Sequence, residues 1–165
     1  MPKFKDTASL MAYIHQAVDS SLNTEVFEQV KQTELTAIKE DVYEAYKPSA
    51  YVRRSANGGL GDESHIVKVG GAAANGILAV ANITPPNPYL NGLNSTGGIS
   101  TTPSGSTTPA LIEFYIYSPT GYGYDYWRWG KARKFTEGTI NRLKASGGCV
   151  TALKQGLLRQ GIATR

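Results

Sequence analysis

Cysteine and histidine are almost missing from this chain: 165 residues hold one cysteine, Cys149, and two histidines, His15 and His65. A single thiol excludes an internal disulfide framework and is compatible with a reducing compartment. So few soft ligands weigh against a metal centre, and the expectation is no metal and no cofactor. Long apolar runs are missing too. No stretch approaches the roughly 20 apolar residues of a membrane-spanning helix, so no membrane partner is expected. Met1-Pro2-Lys3-Phe4-Lys5 lacks the apolar run of a secretory signal, which predicts a chain that works or is assembled where it is made. The length, with 41% hydrophobic residues, fits a single domain over residues 1–165.

What is present is unevenly spread. Eighteen glycines and eight prolines sit mostly in a middle region that also collects Ser, Thr and Asn. The net charge of +4 hides a division: residues 1–127 carry 8 basic against 12 acidic side chains, whereas residues 128–165 carry 9 basic against Glu137 alone. Such an asymmetry speaks of partners, because a single-sign patch draws an acidic protein surface or a nucleic-acid backbone.

Along the chain, Asp6 or Thr7 is placed to cap a helix whose Leu10, Ile14, Val18 and Leu22 recur at spacing four. The stripe resumes with Val26, Phe27, Val30, Leu35, Ile38 and Val42, and no proline interrupts it before Pro48. Asp19-Ser20-Ser21 and Asn23-Thr24 are weak helix formers, so one long helix and two joined helices both satisfy the pattern; one long helix with a bend is the expectation. Asn57-Gly58-Gly59 and Gly61-Asp62 mark a turn. His65 to Val69 and Ile77 to Ile83 are β-branched runs that predict a hairpin. Residues 84–109, rich in Pro, Ser, Thr, Gly and Asn, read as a long surface loop, and Leu111 to Tyr117 alternate as a strand. A helix is expected from near Lys131, with Phe135, Thr139, Ile140 and Leu143 on its buried stripe. Gly147-Gly148 stops it, and a short last helix through Val150, Leu153, Leu157 and Leu158 should fray at Gly161. The fold class is therefore α+β: a long N-terminal helix on a small, mostly antiparallel sheet, with a C-terminal helix.

Chemistry is harder to find. The Gly58 to Gly61 string lacks the Gly-Lys-Ser or Gly-Lys-Thr ending of a phosphate loop and reads as turn glycines. Asp62 and Glu63 are adjacent and diverge, while Glu40, Asp41 and Glu44 fit the wet face of the first helix. Neither histidine has a nucleophile or acid at a recognisable spacing. Lys144 and Lys154 near Cys149 would lower its pKa, but a small buried thiol is the commoner fate. No catalytic constellation emerges, and the expectation is a protein that is not an enzyme. The segment around Tyr122, Tyr124, Tyr126, Trp127, Arg128, Trp129, Lys131, Arg133 and Lys134 interleaves aromatics with cations. That suits stacking and phosphate contacts in a nucleic-acid-binding module and equally a protein interface.

Val42-Tyr43-Glu44-Ala45-Tyr46-Lys47-Pro48-Ser49-Ala50-Tyr51-Val52-Arg53-Arg54, followed by Gly58-Gly59-Leu60, resembles the end of the N-terminal helix in small neck proteins of tailed bacteriophages, of the head-tail joining or tail-completion type. Arg133-Lys134-Phe135-Thr136-Glu137-Gly138-Thr139 resembles the Arg-Pro-Phe start of their last helix, with Lys134 in the place of proline. The resemblance covers the first 70 and last 40 residues and leaves out the middle loop. It implies a structural virion protein that forms a homo-oligomeric ring at the head-tail junction, beside portal-adaptor, tail-tube or other neck proteins, with DNA passing through the lumen. It also implies assembly in the host cytoplasm and residence in the virion. Interface candidates are the aromatic and basic residues of the 122–134 segment together with Arg53 and Arg54. The alternative is the nucleic-acid-binding module.

Overall fold

The computed structural model describes residues 4–45, 55–69, 73, 75–84 and 134–164. The architecture is α+β, with a long N-terminal helix, a two-stranded antiparallel sheet and C-terminal helices. Helix α1 (Thr7–Ser21) opens on Asp6, whose backbone is extended and whose side chain accepts the Ser9 amide at 2.7 Å. Ser9 returns the bond to the Asp6 amide at 3.3 Å, a capping box closed by serine.

The helix then widens without ending. Leu22–Val26 is a π-helical turn, followed by α2 (Phe27–Ala37) and a second π segment, Ile38–Glu44. Three polar side chains bond carbonyls one turn back at the first widening: Ser21 to Ala17 at 2.7 Å, Asn23 to Asp19 at 2.8 Å and Thr24 to Ser20 at 2.8 Å. Side chains that take i−4 carbonyls compete with the backbone ladder and loosen it. The weak helix formers of the sequence thus open the helix here rather than recap a second one.

Strands β1 (Ile66–Lys68) and β2 (Val80–Asn82) pair antiparallel. The Val69 amide reaches the Ala79 carbonyl at 2.9 Å and the Ile83 amide the His65 carbonyl at 2.8 Å, which fixes the register. Both strands are shorter than the β-branched runs. Ile77 at 71% exposure and Val69 at 53% find no core to cover them, so the ladder closes only at its middle.

Among the described residues helix α3 (Phe135–Ser146) begins at Phe135, with the Gly138 amide on the Lys134 carbonyl at 2.8 Å; the start expected near Lys131 lies outside the described residues. Gly147 alone separates it from α4 (Gly148–Arg159). The end of α4 does not fray. The Ile162 amide bonds the Leu157 carbonyl and the Gly161 amide the Leu158 carbonyl, both at 2.9 Å, with Gly161 at φ +80°. This is a Schellman cap, and its left-handed position is the one that favours glycine.

The chain forms two compact units, one of Met1–Glu34, Val67–Ala81 and Thr139–Arg165 and the other of Leu35–Ile66 and Asn82–Gly138. In the second, Phe135 is buried with Ala37, Ile38, Val42 and Leu60, and Tyr43 packs against them. The Tyr43 hydroxyl accepts the Gly61 amide at 2.8 Å, and Asn82 donates to the Leu60 carbonyl at 3.1 Å, so the glycine turn is pinned from two sides. In the first unit, α4 lies antiparallel to α1 and the first π turn. Small buried residues line the approach, Ala17 and Ser21 on the first helix and Ala152 and Gly156 on α4, with Gly156 directly against Ser21. A Cβ on Gly156 would lie 2.5 Å from the Ser21 Cβ and 2.7 Å from Glu25 Oε2, so no larger residue fits without movement. Gln160 closes the pair by donating to the Ala17 carbonyl at 2.9 Å, and the Tyr13 hydroxyl donates to the Gln160 carbonyl. Among the described residues no helix is long and apolar enough to cross a membrane.

The long loop over 84–109, Thr84 excepted, and the strand expected over 111–117 lie outside the described residues.

Candidate functional site

The widened turn of the N-terminal helix does two things. On one side Asn23 presents its amide to the backbone of Ala73, accepting the Ala73 N–H at 2.7 Å and donating to its carbonyl at 3.2 Å. A side-chain amide here takes the place of a neighbouring strand. Asp19 accepts the Gly76 amide at 2.8 Å and the Asn23 carbonyl accepts Lys68 Nζ at 3.1 Å, so the connection between the strands is held on the helix.

Beside it the helix and α4 border an open groove of about 600 Å³, which Asn23 also lines. Phe27 and Ala152 contribute apolar surface to it, and Glu25, Glu28, Gln29 and Gln155 contribute polar surface. Lys68 and Lys31 stand 5.0 and 5.7 Å from the centroid of the Phe27 ring, within cation-π range. Glu28 pairs with Lys31 at 2.8 Å and accepts from Gln32 at 2.8 Å; these bonds hold its carboxyl below the usual range. Glu25 pairs with Arg159 at 2.9 Å and accepts from Thr24, while Arg159 also donates to Thr24 at 3.1 Å. The groove thus carries carboxylates, amides and one aromatic face, with its carboxylates paired to Lys31 and Arg159.

The exposed face of α4 is different in kind. Val150, Lys154 and Leu158, spaced by four, form one exposed stripe, with Val150 at 60% and Leu158 at 54% exposure. Each is at least 100° round the helix from Ala152 and Gly156 at 3.6 residues per turn.

Of the residues singled out in the sequence, Lys134 is described: it is exposed and pairs with Glu137 at 3.1 Å. Tyr122, Tyr124, Tyr126, Trp127, Arg128, Trp129, Lys131, Arg133, Arg53 and Arg54 lie outside the described residues. Gly58 to Gly61 form the turn expected of them, tied by the Gly58 amide to Asp62 at 2.7 Å. His15 is exposed, and His65 Nδ1 lies 3.3 Å from the Gly59 carbonyl. Cys149 is half-buried, and burial pushes its thiol pKa up, in line with the small buried thiol favoured over a lysine-activated one. Asn23, Asp19 and Gly156 carry the arrangement and were not singled out as site residues. The Asn23-Thr24 pair had a signal as a weak point of the helix, but Gly156 shows only as a glycine within a short apolar pattern.

The described residues make a small α+β protein in which the first helix and α4 border an open groove and α4 carries an exposed apolar stripe. The chain belongs to the YomN family, whose model matches residues 6–159, and the family places it among phage-associated proteins. Neither the curated proteins nor the solved structures contain a match to it.

Proposed function

We propose that this protein is a structural subunit of the phage neck, of the tail-completion type, that forms a ring at the head-tail junction. The observation that carries the reading is the fold itself. The resemblance in the first 70 and last 40 residues implies a long N-terminal helix, a small sheet and a closing helix, and the described chain has these elements in that order. Membership of a phage-associated family supports it. So does the charge division, since a subunit repeated round a ring needs two unlike surfaces that attract each other.

On this reading the protein is not an enzyme and needs no cofactor. It is made in the host cytoplasm and resides in the virion, with other copies of itself and neighbouring portal-adaptor or tail-tube proteins as partners. DNA passes through the lumen without tight binding, and the basic segment from Arg128 meets acidic protein surfaces.

Mass spectrometry of purified particles, with immunogold labelling by electron microscopy, tests the assignment. Several copies per particle and label at the neck are expected. Absence from particles overturns it, and so does salt-sensitive DNA binding at micromolar or tighter affinity by the purified protein, which would make it a nucleic-acid module.

A further inference from the structure

We propose that Asn57 and Asn75 are deamidation sites held in check by two carboxylates, Asp62 and Asp19, each of which ties down the one backbone nitrogen that the reaction needs. The sequence holds three Asn-Gly steps, at residues 57–58, 75–76 and 91–92, and the first two lie among the described residues. In such a step the glycine nitrogen loses its proton to the solvent and attacks the asparagine Cγ. The N–Cγ bond forms as the Cγ–Nδ2 bond breaks, and ammonia leaves carrying a proton in place of the one lost. Water then opens the imide ring on either side, which leaves aspartate or, with the side-chain carbon now in the main chain, isoaspartate. Glycine favours the attack because no side chain crowds its nitrogen.

Packing shields neither site. Asn57 and Asn75 are exposed, and a Cβ added to Gly58 or Gly76 would meet nothing within 4 Å. What guards each is a hydrogen bond. The Gly58 amide donates to Asp62 Oδ2 at 2.7 Å, and the Gly76 amide donates to Asp19 Oδ1 at 2.8 Å. A carboxylate at that distance favours the N–H and opposes the negative charge that the nitrogen must take on, and the bond has to open before Cγ can be reached. The turn between the strands explains why a labile pair stands at 75–76: Asn75 at φ +54° and Gly76 at φ +75° are consecutive left-handed residues, a conformation that asparagine followed by glycine adopts best. Isoaspartate there would lengthen by one carbon the connection that Asp19 and Asn23 hold on the first helix.

The test ages the purified protein in mildly alkaline buffer and follows the peptides holding Asn57 and Asn75 by mass spectrometry, with isoaspartate resolved by chromatography. Asp19→Ala should speed conversion at Asn75 at least tenfold, the factor that a hydrogen bond to a charged group is worth, and leave Asn57 at the parent rate; Asp62→Ala should do the reverse. Asp19→Asn keeps the size and an acceptor oxygen but not the charge, so Asn75 should convert at a rate between those of the parent and Asp19→Ala. The parent aged in urea, with both bonds open, sets the upper rate at each site. Folded parent converting as fast as in urea, or alanine variants converting no faster than the parent, overturns the assignment. Equal acceleration of both sites by one variant also overturns it, since protection would then belong to the fold as a whole and not to the individual carboxylate.

Discussion

At the scale of single residues, two positions bear most of what is specific about this chain. Gly156 sets how closely α4 approaches the first helix, and its neighbour Ser21 is fully buried, with its hydroxyl held by Ala17 and Gln160. Gly156→Ala adds a methyl at 2.5 Å from an immobile Cβ and should cost about 1–3 kcal/mol, as overpacked cores do. The check is a urea titration of Gly156→Ala beside Gly156→Ala with Ser21→Gly. The second change removes the Ser21 atoms and leaves only the end of the flexible Glu25 side chain to move, so the pair should couple favourably; purely additive losses would place the strain elsewhere. Asp62 is the other position. Ser64 donates to it through hydroxyl and amide at 2.7 and 3.0 Å and the Gly58 amide at 2.7 Å, and these bonds lower its pKa to about 2. A carboxyl depressed in the folded state stabilises fully above its unfolded pKa of about 3.9, and that stability is lost as pH falls through the folded value. Thermal melts should therefore separate the parent from Asp62→Ala at neutral pH and bring them together as pH falls from about 4 to about 2. A constant gap would show that the turn does not depend on the charge.

At the scale of elements, the first helix holds the connection of the hairpin through one side chain. Removing both partners that Asn23 offers Ala73, by Asn23→Ala, leaves a part-buried amide and carbonyl unpaired and should cost about 1–3 kcal/mol. Native-state hydrogen exchange should show the Ala73 amide released while amides of α4 stay protected; uniform loss of protection would mean that the connection and helices unfold as one. This element also marks how far the sequence was legible. Spacing-four apolar residues from Leu10 to Val42 are enough to read a long helix, and Gly58 to Asp62 enough to read a turn, because both signals are local. The widening at Leu22–Val26 depends on three polar side chains each choosing a carbonyl, which periodicity does not encode. The packing of Ser21 on Gly156 joins positions more than 130 apart, and small residues leave no hydrophobic signal. For the same reason the β-branched runs predict strands longer than Ile66–Lys68 and Val80–Asn82: propensity marks residues able to extend, and only a covering core decides how many do. The groove was illegible in turn, since it arises between two helices far apart in the chain.

At the scale of the whole molecule, the charge division decides between the two functional readings without reference to any one contact. Residues 128–165 carry 9 basic side chains against 1 acidic, and residues 1–127 carry 8 against 12. If the basic segment meets phosphates, each neutralised phosphate releases condensed counterions, and the logarithm of affinity falls by about 0.9 per phosphate for each unit of log salt on duplex DNA. If instead it meets acidic, partly apolar protein, no counterion layer of that density is released, and apolar burial persists when salt screens the charges beyond about 10 Å at 0.1 M. Arg128→Glu, Arg133→Glu and Lys134→Glu together change the net charge by six, and none of the three is a residue of the described core cluster. The neck reading expects this variant to melt like the parent, to fail in joining heads to tails, and to recover in part when the salt used during in vitro joining is raised, because added salt screens a repulsion. A phosphate-binding module expects the opposite sign, since raising salt would weaken whatever binding survives. Scoring joined particles between about 50 and 200 mM salt, the window over which phosphate contacts lose most of their affinity, separates the two by direction alone.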